Sequence, residues 1–322
     1  MKERLSTLLI EYSLNLQKED ILVVDYQSHT RAILESIIRN TQDKGINTRL
    51  FFRPSLARLS DLEKLDNLLN GATSYIRLGG GSYKRPSKHE TEEMQRKEGD
   101  IMIKRCSMKW VSTQYPSEHM SRRLGIDLKK LRELYFKCCF VDYSEQRKIQ
   151  ECIANKFEEG EVRIQSRDTN IKFEIVGPPH FCDGRTNIPD GELFYGINPL
   201  KTKGEISFSI PTIFGVLKFA NIWLKFEEGR VIDYKSDNES GLKKLLGLDK
   251  YSPYLGEFGI GTNPYAQIVG NSFYDEKVAG TFHLALGAMS KDMESRLHID
   301  LVKHDLDCEI RNNGNPIHLT IS

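Results

Sequence analysis

A buried strand followed by an amphipathic helix and a second strand is the pattern that most restricts how this chain can fold. The segment DILVVDY (20–26) is a continuous apolar strand, and HTRAILESIIRNTQDKG (29–45) has helical periodicity and ends at a glycine. NTRLFF (47–52) then reads as a second strand. Strands joined through a helix usually lie parallel in one sheet. The first half therefore predicts an α/β domain with a largely parallel sheet.

The pattern changes near residues 155–162, where FEEGE ends a helical stretch. Beyond this point hairpin signals and glycines are frequent, including a turn at 168–170 and NNGN at 312–315. A chain of 322 residues is long enough for two domains. We expect an N-terminal α/β domain (1–157) and a C-terminal β-rich domain of the α+β class (158–322).

Charge and cysteine usage exclude several function classes. The 46 basic and 45 acidic side chains leave a formal net charge of +1, which predicts no nucleic-acid partner and no anionic membrane partner. The N-terminus has no continuous apolar run, so neither a signal peptide nor a membrane span is expected. Six cysteines without a CxxC pair are typical of reduced thiols, and a cytoplasmic protein is predicted. LGGGSY (78–83) lacks the spacing of a phosphate-binding loop.

One short strand near the C-terminus carries an unusual pair. In RLHIDL (296–301) the leucines and the isoleucine point to one face, while His298 and Asp300 share the other. An exposed polar face and half of a metal site both agree with this alternation.

Three further residues favour the metal site. Glu192, Glu257 and His283 each interrupt an apolar or glycine-rich segment of the second half. Burying an unpaired carboxylate or imidazole costs several kcal/mol, so a shared cation would supply the missing partner. Two imidazoles with two or three carboxylates suit zinc, manganese, cobalt or ferrous iron.

The segments that carry these residues resemble one known family. NIPDGELF, LGEFGIGTNP, GTFHLALG and RLHIDL follow one another in the order seen in the aminopeptidase T family of metallo-aminopeptidases. Upstream, TQYPSEHMSRRLGID, VRIQSRDTNIKF and WLKFEEGRVIDYKS are similar to further segments of that family. The resemblance covers most of residues 100–303.

The resemblance implies an activity and a set of site residues. Glu192, Glu257, His283, His298 and Asp300 would hold two divalent ions, zinc, manganese or cobalt. A water activated by the ions would be the nucleophile, and Glu257 would accept its proton. The implied reaction is hydrolysis of an N-terminal peptide bond or a small amide. A homodimer is also implied.

One departure keeps two alternatives open. The family usually has a tyrosine where this chain has Ser290. Relatives with this fold include a ring-cleaving dioxygenase with a single ferrous ion, and His283, His298 and Asp300 would form its ligand triad. Glu192 and Glu257 would then be supporting or acid/base groups. A metal-free descendant that acts only by binding is the third hypothesis. Retention of both glutamates favours the two-metal hydrolase.

Weaker candidates lie around these segments. His180 and Arg185 in GPPHFCDGR (177–185) are possible substrate contacts near the mouth of the site. Lys277 is a candidate for binding a substrate carboxylate, although a surface lysine paired with Asp275 or Glu276 is the simpler interpretation.

Overall fold

The computed structural model describes residues 1–81, 88–215, 217–304, 306 and 308–319. The helices are α1 (Lys2–Thr7), α2 (Arg31–Asp43), α3 (Leu59–Leu69), α4 (Lys88–Cys106), α5 (Glu118–Leu124), α6 (Leu128–Cys139), α7 (Tyr143–Ala154), α8 (Glu239–Leu246) and α9 (Ser272–Asp275). A π-helix (Leu8–Ser13) follows α1, and a 3-10 turn (Ser28–Thr30) precedes α2. Within the described residues no helix combines the length and the apolar character needed to span a membrane.

The strands, in chain order, are β1 (Ile21–Tyr26), β2 (Asn47–Phe52), β3 (Ser74–Gly79), β4 (Lys109–Gln114), β5 (Gly160–Ser166), β6 (Thr169–Cys182), β7 (Asn187–Ile188), β8 (Glu192–Ile197), β9 (Lys203–Phe208), β10 (Thr212–Phe214), β11 (Leu217–Phe219), β12 (Ile222–Glu227), β13 (Arg230–Lys235), β14 (Leu255–Gly261), β15 (Thr281–Leu286), β16 (Met289–Ser290), β17 (Met293–Glu294), β18 (Ile299–His304), β19 (Glu309–Asn312) and β20 (Asn315–Ile317).

The first compact unit contains Met1–Phe140 and Gly184–Asp190. Its sheet has the strand order β2-β1-β3-β4-β7, and every pair in it is parallel. The apolar run of β1 is buried because β1 has a neighbour on each side and helices pack on the sheet; α2 buries Ile33, Leu34 and Ile37. The predicted parallel α/β fold is confirmed. The last two residues of LGGGSY lie outside the described residues.

The second unit contains Val141–Asp183 and Gly191–Ser322. Its sheet is antiparallel, with the order β13-β12-β9-β6-β8-β14-β15-β18, and β5, β19 and β20 join it at β6. The NNGN segment forms the predicted hairpin between β19 and β20, with Asn313 and Gly314 at positive φ as a two-residue turn requires. The β-rich second half is confirmed.

The second unit begins at Val141, ahead of the boundary expected at residues 155–162. The reason is α7, which the sequence places in a continuous helical stretch. Its Ile153 and Ala154, together with Phe157, pack into the hydrophobic core of the β-rich unit. The short segment Gly184–Asp190 belongs to the first unit, because its strand β7 pairs with β4.

A buried ion pair joins three strands of the first unit. Asp25 on β1 and Arg53 just after β2 are 1% and 4% exposed. Arg53 Nε lies 3.0 and 2.9 Å from the two oxygens of Asp25, and the Tyr75 hydroxyl on β3 donates to Asp25 Oδ2 at 2.6 Å. Each buried charge therefore has its partner, and removal of one leaves the other uncompensated.

We expect Asp25→Asn to lower the free energy of unfolding of the first unit by about 3–5 kcal/mol, because the Arg53 guanidinium stays buried without a counter-charge. Urea denaturation followed by the fluorescence of Trp110, which lies on β4, measures this in a Trp223→Phe background. Glu3→Gln, which removes the exposed Arg39–Glu3 pair, is the control and should leave the midpoint unchanged. Equal midpoints for all variants would contradict the assignment.

Candidate metal centre

Four neighbouring antiparallel strands place four of the five predicted ligands on one face of the sheet. Strands β8, β14, β15 and β18 carry, in this order, Glu192, Glu257, His283 and Asp300. Directly opposed residues of paired strands share a face. The register opposes Glu192 to Gly261, His283 to Gly259, and both Glu257 and Asp300 to Ala285.

The other face of the same strands is the hydrophobic core. Leu193, Phe258, Leu284 and Leu301, one from each strand, belong to its cluster and are at most 2% exposed. Because side chains alternate along a strand, packing these residues inward turns the acidic and imidazole side chains to the opposite face together. In RLHIDL, however, Asp300 is the one buried residue of the polar face, because Arg296 and His298 are exposed.

The side chains converge on the imidazole of His283. Its Nε2 lies 3.2 Å from Glu257 Oε1 and 3.6 Å from Glu192 Oε2. Glu257, His283 and Asp300 each offer a ligand atom within 4.8 Å of the others. All four residues are buried, and His283 is 0% exposed. The structure thus brings Glu192, Glu257, His283 and Asp300 together.

His298 lies at the edge of this group, just before β18. Its Nε2 is 3.2 Å from Asp300 Oδ1, and 45% of its side chain is exposed. Desolvation alone would lower the pKa of His298, but the Asp300 carboxylate outweighs it and raises this pKa to about 9. Asp300 therefore links His298 to the buried candidate ligands.

The local field favours positive charge at the centre. Burial would lower the pKa of His283, yet the hydrogen bond to Glu257 and the charges of Glu192 and Asp300 raise it. Burial would likewise raise the pKa of Asp300, but the neighbouring imidazoles hold it below its usual range. A cluster of carboxylates around an imidazole stabilises a cation at this position.

One buried atom beside the imidazole fits a bound divalent cation. Glu192 Oε2, which lies 3.6 Å from His283 Nε2, has no hydrogen-bond partner among the described residues. A buried polar atom left unsatisfied costs about 1–3 kcal/mol, so native proteins rarely keep one without use. Imidazole nitrogen and carboxylate oxygen are the ligands that zinc, manganese and cobalt take.

Gly259 makes room for the imidazole. It lies opposite His283 in the register, and a Cβ at this position would be 2.1 Å from both Cε1 and Nε2 of the His283 ring. The ring therefore rests directly over the backbone of β14, which only a glycine permits. The sequence shows the glycine-rich GEFGIG segment, but it does not show that Gly259 lies opposite the ring of His283.

Lys277 lies inside the molecule, so its interpretation as a surface lysine is wrong. The side chain is fully buried because its Nζ contacts Glu276 and lies 3.2 Å from Glu192 Oε1. The expected pairing with Glu276 is present, whereas Asp275 accepts hydrogen bonds from the backbone of Val269 and Gly270.

Glu276 is a site residue that sequence reasoning missed. Burial raises its pKa well above the usual range, Lys277 opposes that shift, and its carboxyl hydrogen-bonds to Asp300. The acidic-basic run DEK just ahead of the His283 strand is the only signal for it in the sequence.

The weaker candidates occupy different places. His180 on β6 is exposed, lies opposite Phe194 in the register and stacks on it with ring centroids 4.7 Å apart. Since Phe194 in turn opposes Gly259, His180 is on the ligand-bearing face. Arg185 is exposed and belongs to the first unit. Ser290 lies in the β16–β17 hairpin, where its hydroxyl donates to the Met293 carbonyl at 3.4 Å.

Solved structures resemble the chain over nearly its whole length. Wild-type AmpT from Thermus thermophilus matches with a TM-score of 0.76 and 15% identity, over 96% of this chain and 94% of that one. The 2,5-dihydroxypyridine dioxygenase of Pseudomonas putida KT2440 matches with a TM-score of 0.66 and 11% identity, over 98% and 94%. At these identities the likeness shows the fold alone.

Sequence comparison is more specific. The chain is 32% identical over 108 residues to aminopeptidase AmpS of Bacillus subtilis (strain 168), across 32% of this chain and 26% of the relative, so the match spans about a quarter of that protein. The family described as thermophilic metalloprotease (M29) matches residues 82–305, which include all five predicted ligands. The chain therefore belongs to the thermophilic metalloprotease (M29) family.

Proposed function

We propose that this protein is a metal-dependent hydrolase that cleaves an N-terminal peptide bond or a small amide. Two divalent ions, zinc, manganese or cobalt, would be held by Glu192, Glu257, His283, His298 and Asp300. The observation that carries the proposal is the buried cluster around His283 Nε2, in which Glu192 Oε2 has no hydrogen-bond partner among the described residues. Its membership of a metalloprotease family supports the same conclusion.

Each side chain has a separate task. Divalent ions, when bound, lower the pKa of water and polarise a carbonyl oxygen. Glu257 would accept the proton of the attacking water, because its carboxylate is buried at the centre and reaches His283 Nε2 at 3.2 Å. Glu192 and Asp300 would anchor the ions from the two outer strands, and His298 would close the group on its exposed side.

Substrate would approach the ligand-bearing face of the sheet. The stacked rings of His180 and Phe194 lie on that face, three strands and two strands away from His283. We propose them as contacts for the substrate side chain next to the scissile bond. Three further expectations stay predictions: a substrate contact by Arg185, a homodimer and a cytoplasmic location. Light scattering during gel filtration would measure the dimer directly.

The ring-cleaving dioxygenase is the alternative that the second structural likeness keeps open. A ferrous triad of His283, His298 and Asp300 would need Glu192 and Glu257 only as supporting groups. Both glutamates instead approach the same His283 nitrogen, which favours their direct participation as ligands. Ser290, which stands where the family usually has a tyrosine, lies in a short hairpin. Its placement favours neither hydrolysis nor ring cleavage.

Metal content is the first measurement. We expect about two equivalents of zinc, manganese or cobalt per chain after anaerobic purification, measured by plasma mass spectrometry, because five ligand-type residues suit a two-metal site. His283→Ala should lose most of this metal. One equivalent of iron would favour the dioxygenase, and no metal after incubation with each ion would favour a protein that acts by binding.

Glu257→Gln tests the proton acceptor. The amide oxygen can still approach a metal but cannot take a proton, so hydrolysis of aminoacyl amides should fall by about 10²–10⁴-fold in kcat. Metal content should fall much less, as plasma mass spectrometry on the same sample would show. A variant with unchanged kcat would remove Glu257 from this role.

Gly259→Ala tests the placement of His283 without replacing any candidate ligand. The added Cβ would meet the imidazole at 2.1 Å, so the ring must move and metal binding should be lost. Gly196→Ala is the matched control on β8: its Cβ would lie 3.5 Å from the Val176 carbonyl, an ordinary contact. Isothermal calorimetry with zinc should show binding by the control only. Equal binding by both variants would contradict the placement.

A further inference from the structure

Lys277 is among the largest fully buried side chains of the described protein. Its ammonium contacts the Glu276 carboxylate and donates to Glu192 Oε1 at 3.2 Å, and Nζ lies 5.0 Å from the centroid of the Phe273 ring. An ammonium without such partners would cost several kcal/mol to bury. The two carboxylates therefore account for its burial.

The hydrogen bond from Lys277 makes the two oxygens of Glu192 unequal. Oε1 is bound by Lys277, whereas Oε2 has no hydrogen-bond partner among the described residues and lies 3.6 Å from His283 Nε2. Because a carboxylate is planar, holding Oε1 also fixes the direction in which Oε2 points. Glu192 thus presents one free oxygen to the centre.

The backbone of Lys277 is tied to the ligand-bearing sheet. The Asn263 N–H, two residues beyond the end of β14, donates to the Lys277 carbonyl at 2.8 Å. Gly261, the last residue of β14, passes so close that a Cβ there would lie 2.2 Å from the Val278 carbonyl oxygen. The ammonium is therefore held in a defined position relative to the strands that carry the ligands.

We propose that Lys277 is a positioning residue for the metal centre: it holds Glu192 Oε1 and thereby reserves Glu192 Oε2 for a divalent cation. The inference rests on the proposed function, since it assigns Glu192 as a ligand. It replaces the earlier hypothesis that Lys277 binds a substrate carboxylate, because its ammonium is fully buried between two carboxylates of the protein itself.

A positioning role and a purely electrostatic role of Lys277 predict opposite changes in metal affinity when the lysine is replaced. Removing a positive charge beside a group of carboxylates would, by Coulomb attraction alone, tighten the binding of a cation. Releasing Glu192 from its orientation weakens binding, and loss of a group that orients a metal ligand typically costs 10–100-fold in affinity. The sign of the change therefore separates the two roles.

The test is the zinc dissociation constant of Lys277→Met, measured by competition with a chromophoric chelator. We expect affinity to fall by about 10–100-fold relative to the unaltered protein. Lys303→Met is the matched control, because Lys303 is also a buried lysine paired with a carboxylate, Asp168, but it points to the other face of β18. Its zinc affinity should stay unchanged.

A double-mutant comparison shows whether Lys277 acts through Glu192. In a Glu192→Ala background, Lys277→Met should change zinc affinity by less than about twofold, since the group that it positions is gone. In a Glu257→Gln background the full loss should persist. A similar loss in both backgrounds, or unchanged or tighter binding in the single variant, would overturn the positioning role.

Folding of each variant is checked by near-ultraviolet circular dichroism. If Lys277→Met does not fold, Lys277→Gln replaces it, because its neutral amide has a shorter reach and should weaken zinc binding in the same direction. Absence of binding of zinc, manganese and cobalt alike by the unaltered protein would overturn the proposed function itself. If the unaltered protein binds zinc and the Lys277 variant binds it equally well, only the role of Lys277 would be overturned.

Discussion

The two-sided burial of four antiparallel strands is the constraint on which the candidate centre depends. Alternate positions of β8, β14, β15 and β18 pack into one apolar core, and the positions between them carry carboxylates and an imidazole that are also buried. A shift of one strand by a single residue would exchange its two faces and bring charged groups into the core. Core packing therefore fixes the register, and the register fixes which candidate ligands lie together.

Charge compensation is the second requirement. Glu192, Glu257 and Asp300 would repel one another in a buried group, and His283 lies between them as a partial counter-charge. Lys277 adds a full positive charge behind Glu192 without occupying the centre. Native proteins rarely retain this many buried charges unless a function requires them, because apolar replacements are often as stable. The arrangement is a cost in stability that ion binding would offset.

Much of the fold could be predicted from periodicity, and the proximity of the candidate ligands from ordered motifs; their role as ligands stays a prediction. The parallel first sheet came from the strand–helix–strand pattern, and the shared face of His298 and Asp300 came from alternation within six residues. What failed were features that depend on distant partners. Lys277 looked exposed because a charged residue beside Asp275 and Glu276 gives no sign of Glu192, far away in sequence. The helix α7 was assigned to the first unit since its amphipathic pattern does not say which core it covers.

The fold alone does not determine the chemistry, because AmpT and a dioxygenase both match it. A histidine–histidine–aspartate group alone suits one ferrous ion with open positions, whereas adding two glutamates at the same imidazole supplies enough donors for a second ion. In this chain Glu192 and Glu257 reach the same nitrogen of His283, and Lys277 secures one of them. Glu192 and Glu257 beside His283 therefore favour hydrolysis over ring cleavage, and the shared fold does not contribute to this choice.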